Sequence, residues 1–122
     1  MRQLDVTVTT DAAGAATEYT ADPVNGRVVT VIYTKTDFAN GVDFTITGER
    51  TGQTVWTQQD VNAAATVSPR QATHSTAGVA ALYAANGEAV LDYVWLPFER
   101  IKVVVGSGGA AKTGKFTFVV DG

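Results

Sequence analysis

Cysteine is absent from this sequence of 122 residues, and histidine occurs once, as His74. Without cysteine the chain can form no disulfide, thiol nucleophile, Cys-ligated zinc site or iron–sulfur cluster. A zinc site with two imidazoles cannot form within one chain, and a Ser-His-Asp triad would have to use His74. Ser68 and Ser75 are near it in sequence, but neither lies in the G-x-S-x-G motif. We therefore expect His74 to be a structural or exposed loop residue. We also expect no enzymatic activity and no catalytic, cofactor-binding or metal-binding residues.

Charged residues are few, at 17% of the chain, with nine Lys and Arg, twelve Asp and Glu and a net charge of −3. The basic residues are scattered singly, so no basic stripe can neutralise a run of phosphates, and we expect no nucleic-acid partner. The acidic residues never take the spacing of a calcium-binding loop, and dispersed acids are more often solvated than paired for glycoside hydrolysis. A surface low in charge fits a protein that buries part of its exterior against other subunits, and it equally fits an ordinary β-sandwich.

Long apolar runs are missing as well. The sequence has no span of about 18 to 20 apolar residues, and no apolar stretch follows Met1. We therefore expect no cleaved signal peptide, no membrane-spanning segment and no membrane partner. The length predicts one domain over residues 1–122, large enough to bury a core without disulfide staples.

Alternating apolar and polar residues, rich in Val and Thr, are present along most of the chain, and this pattern predicts β-strands. Turn residues such as Gly, Asn and Pro separate the strands, and no long helix is predicted. The pattern favours an all-β fold, an antiparallel β-sandwich of about seven or eight strands, with a jelly roll as one arrangement. The predicted strands before the last pair span residues 4–10, 15–20, 27–35, 42–47, 53–58 and 89–96. Residues 42–47 and 53–58 should form a hairpin, because a four-residue connection that ends in Gly52 joins them. Residues 27–35 are largely apolar on both faces and should lie inside a sheet.

The last 25 residues predict a β-hairpin whose arms are residues 101–105 and 115–118, joined by a Gly-rich connection. Ile101, Val103, Phe116 and Phe118 alternate with other residues and should form the central layer of the core. The connection superficially resembles a phosphate-binding loop. However, Ala rather than Gly precedes Lys112, and a strand rather than a helix follows.

The segment from about residue 63 to residue 96 is Ala-rich, low in charge and long for a plain connection. A short helix over residues 79–84 is one interpretation, but we favour an extended loop excursion. Part of its apolar content should face a neighbouring subunit or partner, unless the segment folds back as an extra strand and lid. The predicted interface residues are Val79, Leu82, Tyr83, Trp95 and Leu96.

Four aromatic residues, Trp56, Trp95, Tyr83 and Tyr93, could stack against sugars. Large rings in a small sandwich are more often core or interface residues. Exposed aromatic side chains around a groove would favour sugar binding, whereas a flat apolar patch would favour a subunit interface.

Four turn and strand signatures along the chain carry a family resemblance. They are the Asn25-Gly26 turn, T-G-x-T over residues 51–54, Pro69-Arg70 followed by His74 and Gly78, and R-x-K-V-x-V over residues 100–105. Together they resemble small proteins encoded among the head and tail structural genes of tailed bacteriophages, and the resemblance covers most of the chain. None of these signatures performs chemistry.

The resemblance implies a bacteriophage virion structural protein, a head decoration (cement) protein that binds the assembled capsid shell. It is expected to be made in the host bacterial cytoplasm and to reside on the capsid surface. Its partners would be the major capsid protein, copies of itself as a homo-oligomer such as a trimer, or both. A tail or head–tail connector component is the alternative in the same setting. A carbohydrate-binding or receptor-binding β-sandwich is the alternative from another class.

Overall fold

The computed structural model describes residues 1–122 and contains ten β-strands and no helix. No element is therefore a helix long and apolar enough to cross a membrane. All strand pairings are antiparallel, which confirms the predicted all-β sandwich with more strands than expected. The strands are β1 (Arg2–Thr9), β2 (Ala16–Tyr19), β3 (Val24–Lys35), β4 (Val42–Gly48), β5 (Thr54–Val61), β6 (Ala65–Val67), β7 (Arg70–Ala72), β8 (Leu91–Glu99), β9 (Ile101–Gly106) and β10 (Thr113–Asp121).

The strands form two sheets. The first sheet has the order β1-β10-β3-β8-β7, with β6 also paired to β3, and the second has the order β2-β9-β4-β5. The strand β3 lies inside its sheet, as predicted, because β10 pairs with one edge while β8 and β6 pair with the other. The predicted hairpin of β4 and β5 is also confirmed, with Thr47 opposite Thr54. Its turn contains Gly52 at φ +73°, a conformation that glycine adopts without strain.

The predicted C-terminal hairpin is wrong, because its two arms lie in different sheets. The strand β9 pairs with β2 and β4, whereas β10 pairs with β1 and β3. The Gly-rich connection crosses between the sheets and is anchored on the way. Gly108 N–H donates to the carbonyl of Gly14 (3.0 Å), and Ala39 N–H donates to the carbonyl of Gly108 (2.9 Å). A Cβ at Gly108 would lie 2.9 Å from a methyl carbon of Thr10, so this close approach favours glycine.

The core lies between the two sheets and consists of one cluster of 20 buried hydrophobic residues. Ile101, Val103, Phe116 and Phe118 all belong to it and are fully buried, which confirms the predicted central layer. Tyr33 and Phe116 pack with ring centroids 5.2 Å apart, and the ring of Phe44 lies within 5.1 Å of both. The hydroxyl of Tyr33 is buried without a hydrogen-bond partner, and burial raises its pKa.

The segment from residue 63 to residue 96 is more regular than expected. It contains β6, β7 and the first part of β8, and β6 and β7 pair with longer strands of the first sheet. Residues 79–84 are not helical, so the extended interpretation is confirmed for that stretch.

Candidate functional site

An arm formed by residues 73–90 connects β7 to β8 and contributes no residue to the core. Three backbone hydrogen bonds close a ring at its base. Thr73 N–H donates to Val90 C=O (2.9 Å), Val90 N–H donates to Ala81 C=O (2.9 Å), and Ala81 N–H donates to Thr73 C=O (3.0 Å). The base of the arm is therefore held by its own backbone.

Two tight turns form the outer part of the arm. In the first, Gly78 N–H donates to the carbonyl of Ser75 (2.9 Å), and the Ser75 hydroxyl oxygen accepts from the N–H groups of Ala77 and Val79. In the second, Gly87 N–H donates to the carbonyl of Ala84 (2.8 Å). Side-chain and backbone bonds of this kind define the turns without help from a core.

Three predicted interface residues lie on the arm and are exposed. The exposed fractions are 64% for Val79, 43% for Leu82 and 76% for Tyr83. Leu91, at the start of β8, is exposed too and was missed by the sequence analysis. Four large apolar side chains therefore lie in or directly beside the 18 residues of the arm.

The other two predicted interface residues lie on β8. Trp95 is 46% exposed, whereas Leu96 is 2% exposed and belongs to the core cluster. The prediction for Leu96 is wrong because successive side chains of a strand point to opposite faces, so that Leu96 faces inward when Trp95 faces outward.

Cation–π contacts order the outer face of β8. The guanidinium carbons of Arg27 and Arg70 lie 4.5 Å and 4.1 Å from the ring centre of Tyr93, and Arg27 also lies 5.9 Å from the ring centre of Trp95. Arg27 is in turn paired with Asp121 at 3.0 Å. Such contacts stabilise exposed sites by about 0.5 to 1 kcal/mol each, so these aromatic rings are held in place at the surface.

Glu99, at the end of β8, is a carboxylate that is only 4% exposed. Its oxygens accept hydrogen bonds from Arg50 N–H (2.8 Å), Thr51 N–H (2.9 Å) and the Thr51 hydroxyl (2.8 Å). Burial alone would raise the pKa of Glu99, but the bonds from Thr51 and Arg50, together with the charge of Arg50, outweigh it and lower the pKa. Glu99 thus ties the turn between β4 and β5 to the opposite sheet.

His74 and the two nearby serines do not form a catalytic unit in the structure. The His74 backbone bridges to Ala80, and its side chain is exposed. The Ser75 hydroxyl is engaged in the first turn of the arm, and the Ser68 hydroxyl lies 3.4 Å from that of Thr30. The absence of enzymatic activity stays a prediction.

A groove of three adjoining clefts runs along the side of the sandwich where the edge strands β5 and β7 face each other. The central cleft, of about 620 Å³, lies between residues 53–57 and residues 69–74. It shares Gln53 and Gln71 with a second cleft of about 570 Å³, which reaches Asn25 and Trp95. It shares Trp56 with a third cleft of about 360 Å³, which reaches residues 61–65.

Glu99, Gln53 and Gln71 are not among the residues predicted from the sequence. Glu99 and Thr51 are 48 residues apart in the chain, and Gln53 and Gln71 are brought together only by the packing of two sheets. No local pattern marks such residues, because each lies in an ordinary strand or turn sequence.

No protein family profile matches this chain, and no curated protein is significantly similar to it.

Proposed function

We propose that this protein is a virion structural protein of a tailed bacteriophage that decorates the head by docking its arm on the assembled capsid shell. The observation that carries the proposal is the arm itself, a defined segment that presents Val79, Leu82 and Tyr83 to solvent. The phage setting rests on the sequence resemblance. The protein would act by contact and not by turnover.

The energetics of the arm favour a partner. Ordering a residue costs roughly 1 to 2 kcal/mol in backbone entropy, and burial of apolar side chains is the usual compensation. The arm buries none of its large apolar residues in the core. Exposed apolar patches commonly mark interaction sites, and buried aromatic anchors such as tyrosine dominate binding energy. Tyr83 is the best candidate for such an anchor because it is the most exposed of the three.

The capsid shell is one of three partners that the arm could contact. The resemblance to phage head and tail proteins favours the shell, with the major capsid protein as the contacted subunit. A second copy of the chain would make the protein a homo-oligomer, and a tail or connector protein would place it elsewhere on the virion. Light scattering of the free protein and recovery of the protein on shells that lack tails separate these arrangements.

Charged substitutions on the arm test the proposal. Leu82→Asp and Tyr83→Asp should each reduce sedimentation of the protein with purified tailless shells by at least about tenfold, because a charge would be buried at the contact. Both residues are exposed, so the thermal unfolding midpoint should stay close to that of the wild type. Thr7→Asp, at an exposed position of β1, is the matched control and should bind normally.

Two outcomes would contradict the proposal. Full shell binding by the Leu82 and Tyr83 variants would show that the arm is not the docking surface. Recovery of the wild-type protein on tails, but not on tailless shells, would assign it to the tail or connector.

A further inference from the structure

We propose that the groove between β5 and β7 is a binding site for a saccharide chain, distinct from the exposed apolar side chains of the arm. His74, at the base of the arm, is the one arm residue that lines it. The three clefts adjoin one another through shared lining residues and follow the length of β5. A groove of this form suits an extended ligand rather than a compact one. Each of the three clefts lies within the size range of about 300 to 1,000 Å³ that is usual for small-ligand sites.

The polar side chains of the groove match the hydroxyl groups of a sugar. Asn25, Gln53 and Gln71 line the second cleft, and an amide side chain both donates and accepts hydrogen bonds, as a sugar hydroxyl does. Gln53 donates its Nε2 to the carbonyl of Trp95 (3.1 Å), which fixes its orientation and leaves its Oε1 as an acceptor. The side-chain amides of Asn25 and Gln71 make no hydrogen bond within the protein and are available to a ligand.

Two tryptophans supply flat apolar surfaces in the same clefts as these amides. Trp56 lies between the central and third clefts, and Trp95 lines the second. Trp56 is held by an edge-to-face contact with Phe44 (4.7 Å between ring centres) and by donation from its Nε1 to Gln58 (3.3 Å). A rigid aromatic side chain loses little entropy on binding and offers its face to the C–H surface of a sugar ring.

Most of the groove is compatible with neutral and acidic saccharides alike, and its one acidic lining residue, Asp60, lies in the third cleft. Arg70 lies in the wall of the central cleft, and neither the central nor the second cleft has an acidic lining residue. Arg70 makes no ion pair with a carboxylate of the protein, so it could bind a carboxylate of the ligand. A saccharide that carries uronic acids should therefore bind more tightly than a neutral one of equal length.

An extended peptide added to the free edge of β5 is the competing occupant, and the structure favours it less. Strand addition requires a straight row of backbone N–H and C=O groups. The pairing of β5 with β4 contains two register shifts, and Asp60 near the end of β5 has φ +56°. Irregularities of this kind twist an edge strand and discourage pairing with another chain.

Titration of the wild-type protein with defined oligosaccharides tests the inference. The probes are maltohexaose, cellohexaose, chitohexaose and hexagalacturonate, each followed by NMR chemical-shift changes and by tryptophan fluorescence. We expect saturable binding of at least one probe, with shifts concentrated on residues 53–57 and 69–72. Gln71→Ala and Trp95→Ala should each weaken that binding by about tenfold, through a lost hydrogen bond or a lost stacking surface.

Tyr19→Ala is the matched control, since Tyr19 is a comparably exposed aromatic residue on β2, at the edge of the second sheet opposite β5, and it should bind like the wild type. The inference is overturned if no probe binds at millimolar concentration, or if the groove variants bind as well as the control. It is also overturned if an alternating Thr-Val peptide shifts β5 resonances while the saccharides do not. Variants of the groove should keep shell binding and variants of the arm should keep saccharide binding, so either proposal can fail alone.

Discussion

The stability of this fold should be most sensitive to substitution at residues that carry buried polar atoms. Glu99 and the Tyr33 hydroxyl are both buried, but the Glu99 carboxylate accepts hydrogen bonds from three donors, whereas the tyrosine hydroxyl has no partner. A buried polar group stabilises a protein only when its partners replace the lost water. The two residues should therefore respond to substitution in opposite ways.

Glu99→Gln should destabilise the protein by about 1 to 3 kcal/mol at neutral pH, because it removes the charge that strengthens three buried hydrogen bonds. If Oε1 keeps both backbone N–H donors, the new amide N–H group replaces the oxygen that accepts from the Thr51 hydroxyl. The effect should depend on pH in a defined direction. In the folded protein the pKa of Glu99 is lowered from its ordinary value of 4.5. The Glu99 carboxylate therefore contributes its full share of folding stability above the ordinary pKa, and this stability is lost as the pH falls through the folded pKa. Chemical denaturation from neutral pH down to about pH 3 measures this difference.

Glu18→Gln, at an exposed position of β2, is the control for the Glu99 variant and should leave the stability profile nearly unchanged. Parallel profiles of wild type and Glu99→Gln at all pH values would show that the carboxylate does not hold the turn.

Tyr33→Phe should leave the free energy of unfolding unchanged or raise it, because the substitution removes a buried hydroxyl that makes no hydrogen bond. The ring contacts with Phe44 and Phe116 are retained. Urea denaturation at neutral pH measures the change. A loss of more than about 1 kcal/mol would mean that the hydroxyl has a partner in solution.

The positions of individual strands could be predicted from the sequence far better than the pairing between strands. Alternation is a local signal, and it located β1, β3, β4 and β10 because each has one face in the core. Pairing is not local. The glycines between β9 and β10 suggested a hairpin, whereas they allow the chain to pass closely over residues 10 and 14 and change sheets.

Prediction of the candidate sites was also limited to features that lie within one continuous segment of the chain. Val79, Leu82 and Tyr83 could be identified because apolar residues lie there in a segment that has few charges and no strand pattern. The groove could not, since its walls come from two edge strands that meet only after both sheets have formed.

The strand β10 is the element on which the first sheet depends, because it pairs along its length with β1 and β3. Phe116→Ala or Phe118→Ala should lower the free energy of unfolding by about 3 to 5 kcal/mol, since each removes a fully buried ring. Val119→Ala, at a half-buried position of the same strand, should cost much less. Denaturant unfolding compares the three variants. If both phenylalanine variants unfold at denaturant midpoints close to that of the wild type, the opposite face of β10 forms the core.

In the molecule as a whole, the sandwich supplies stability and the arm supplies an exposed apolar surface. The separation is physical, because the arm shares no core residue with the sandwich and its base closes on itself through Thr73, Ala81 and Val90. Thr73 and Val90 are hydrogen-bonded neighbours, and Ala72 pairs with Leu91 just below them. A two-residue Asn-Gly turn can therefore replace residues 74–89 and close β7 and β8 as a hairpin.

The variant with this arm deletion shows whether the arm is the surface that docks on the shell. Its binding to purified tailless phage shells should be measured beside that of the wild type, with denaturant unfolding of both proteins to confirm the fold. Docking by the arm predicts a folded sandwich, within about 1 to 2 kcal/mol of the wild-type stability, that no longer binds shells. A deletion variant that folds and still decorates shells would contradict it, because the docking surface would then lie on the sandwich.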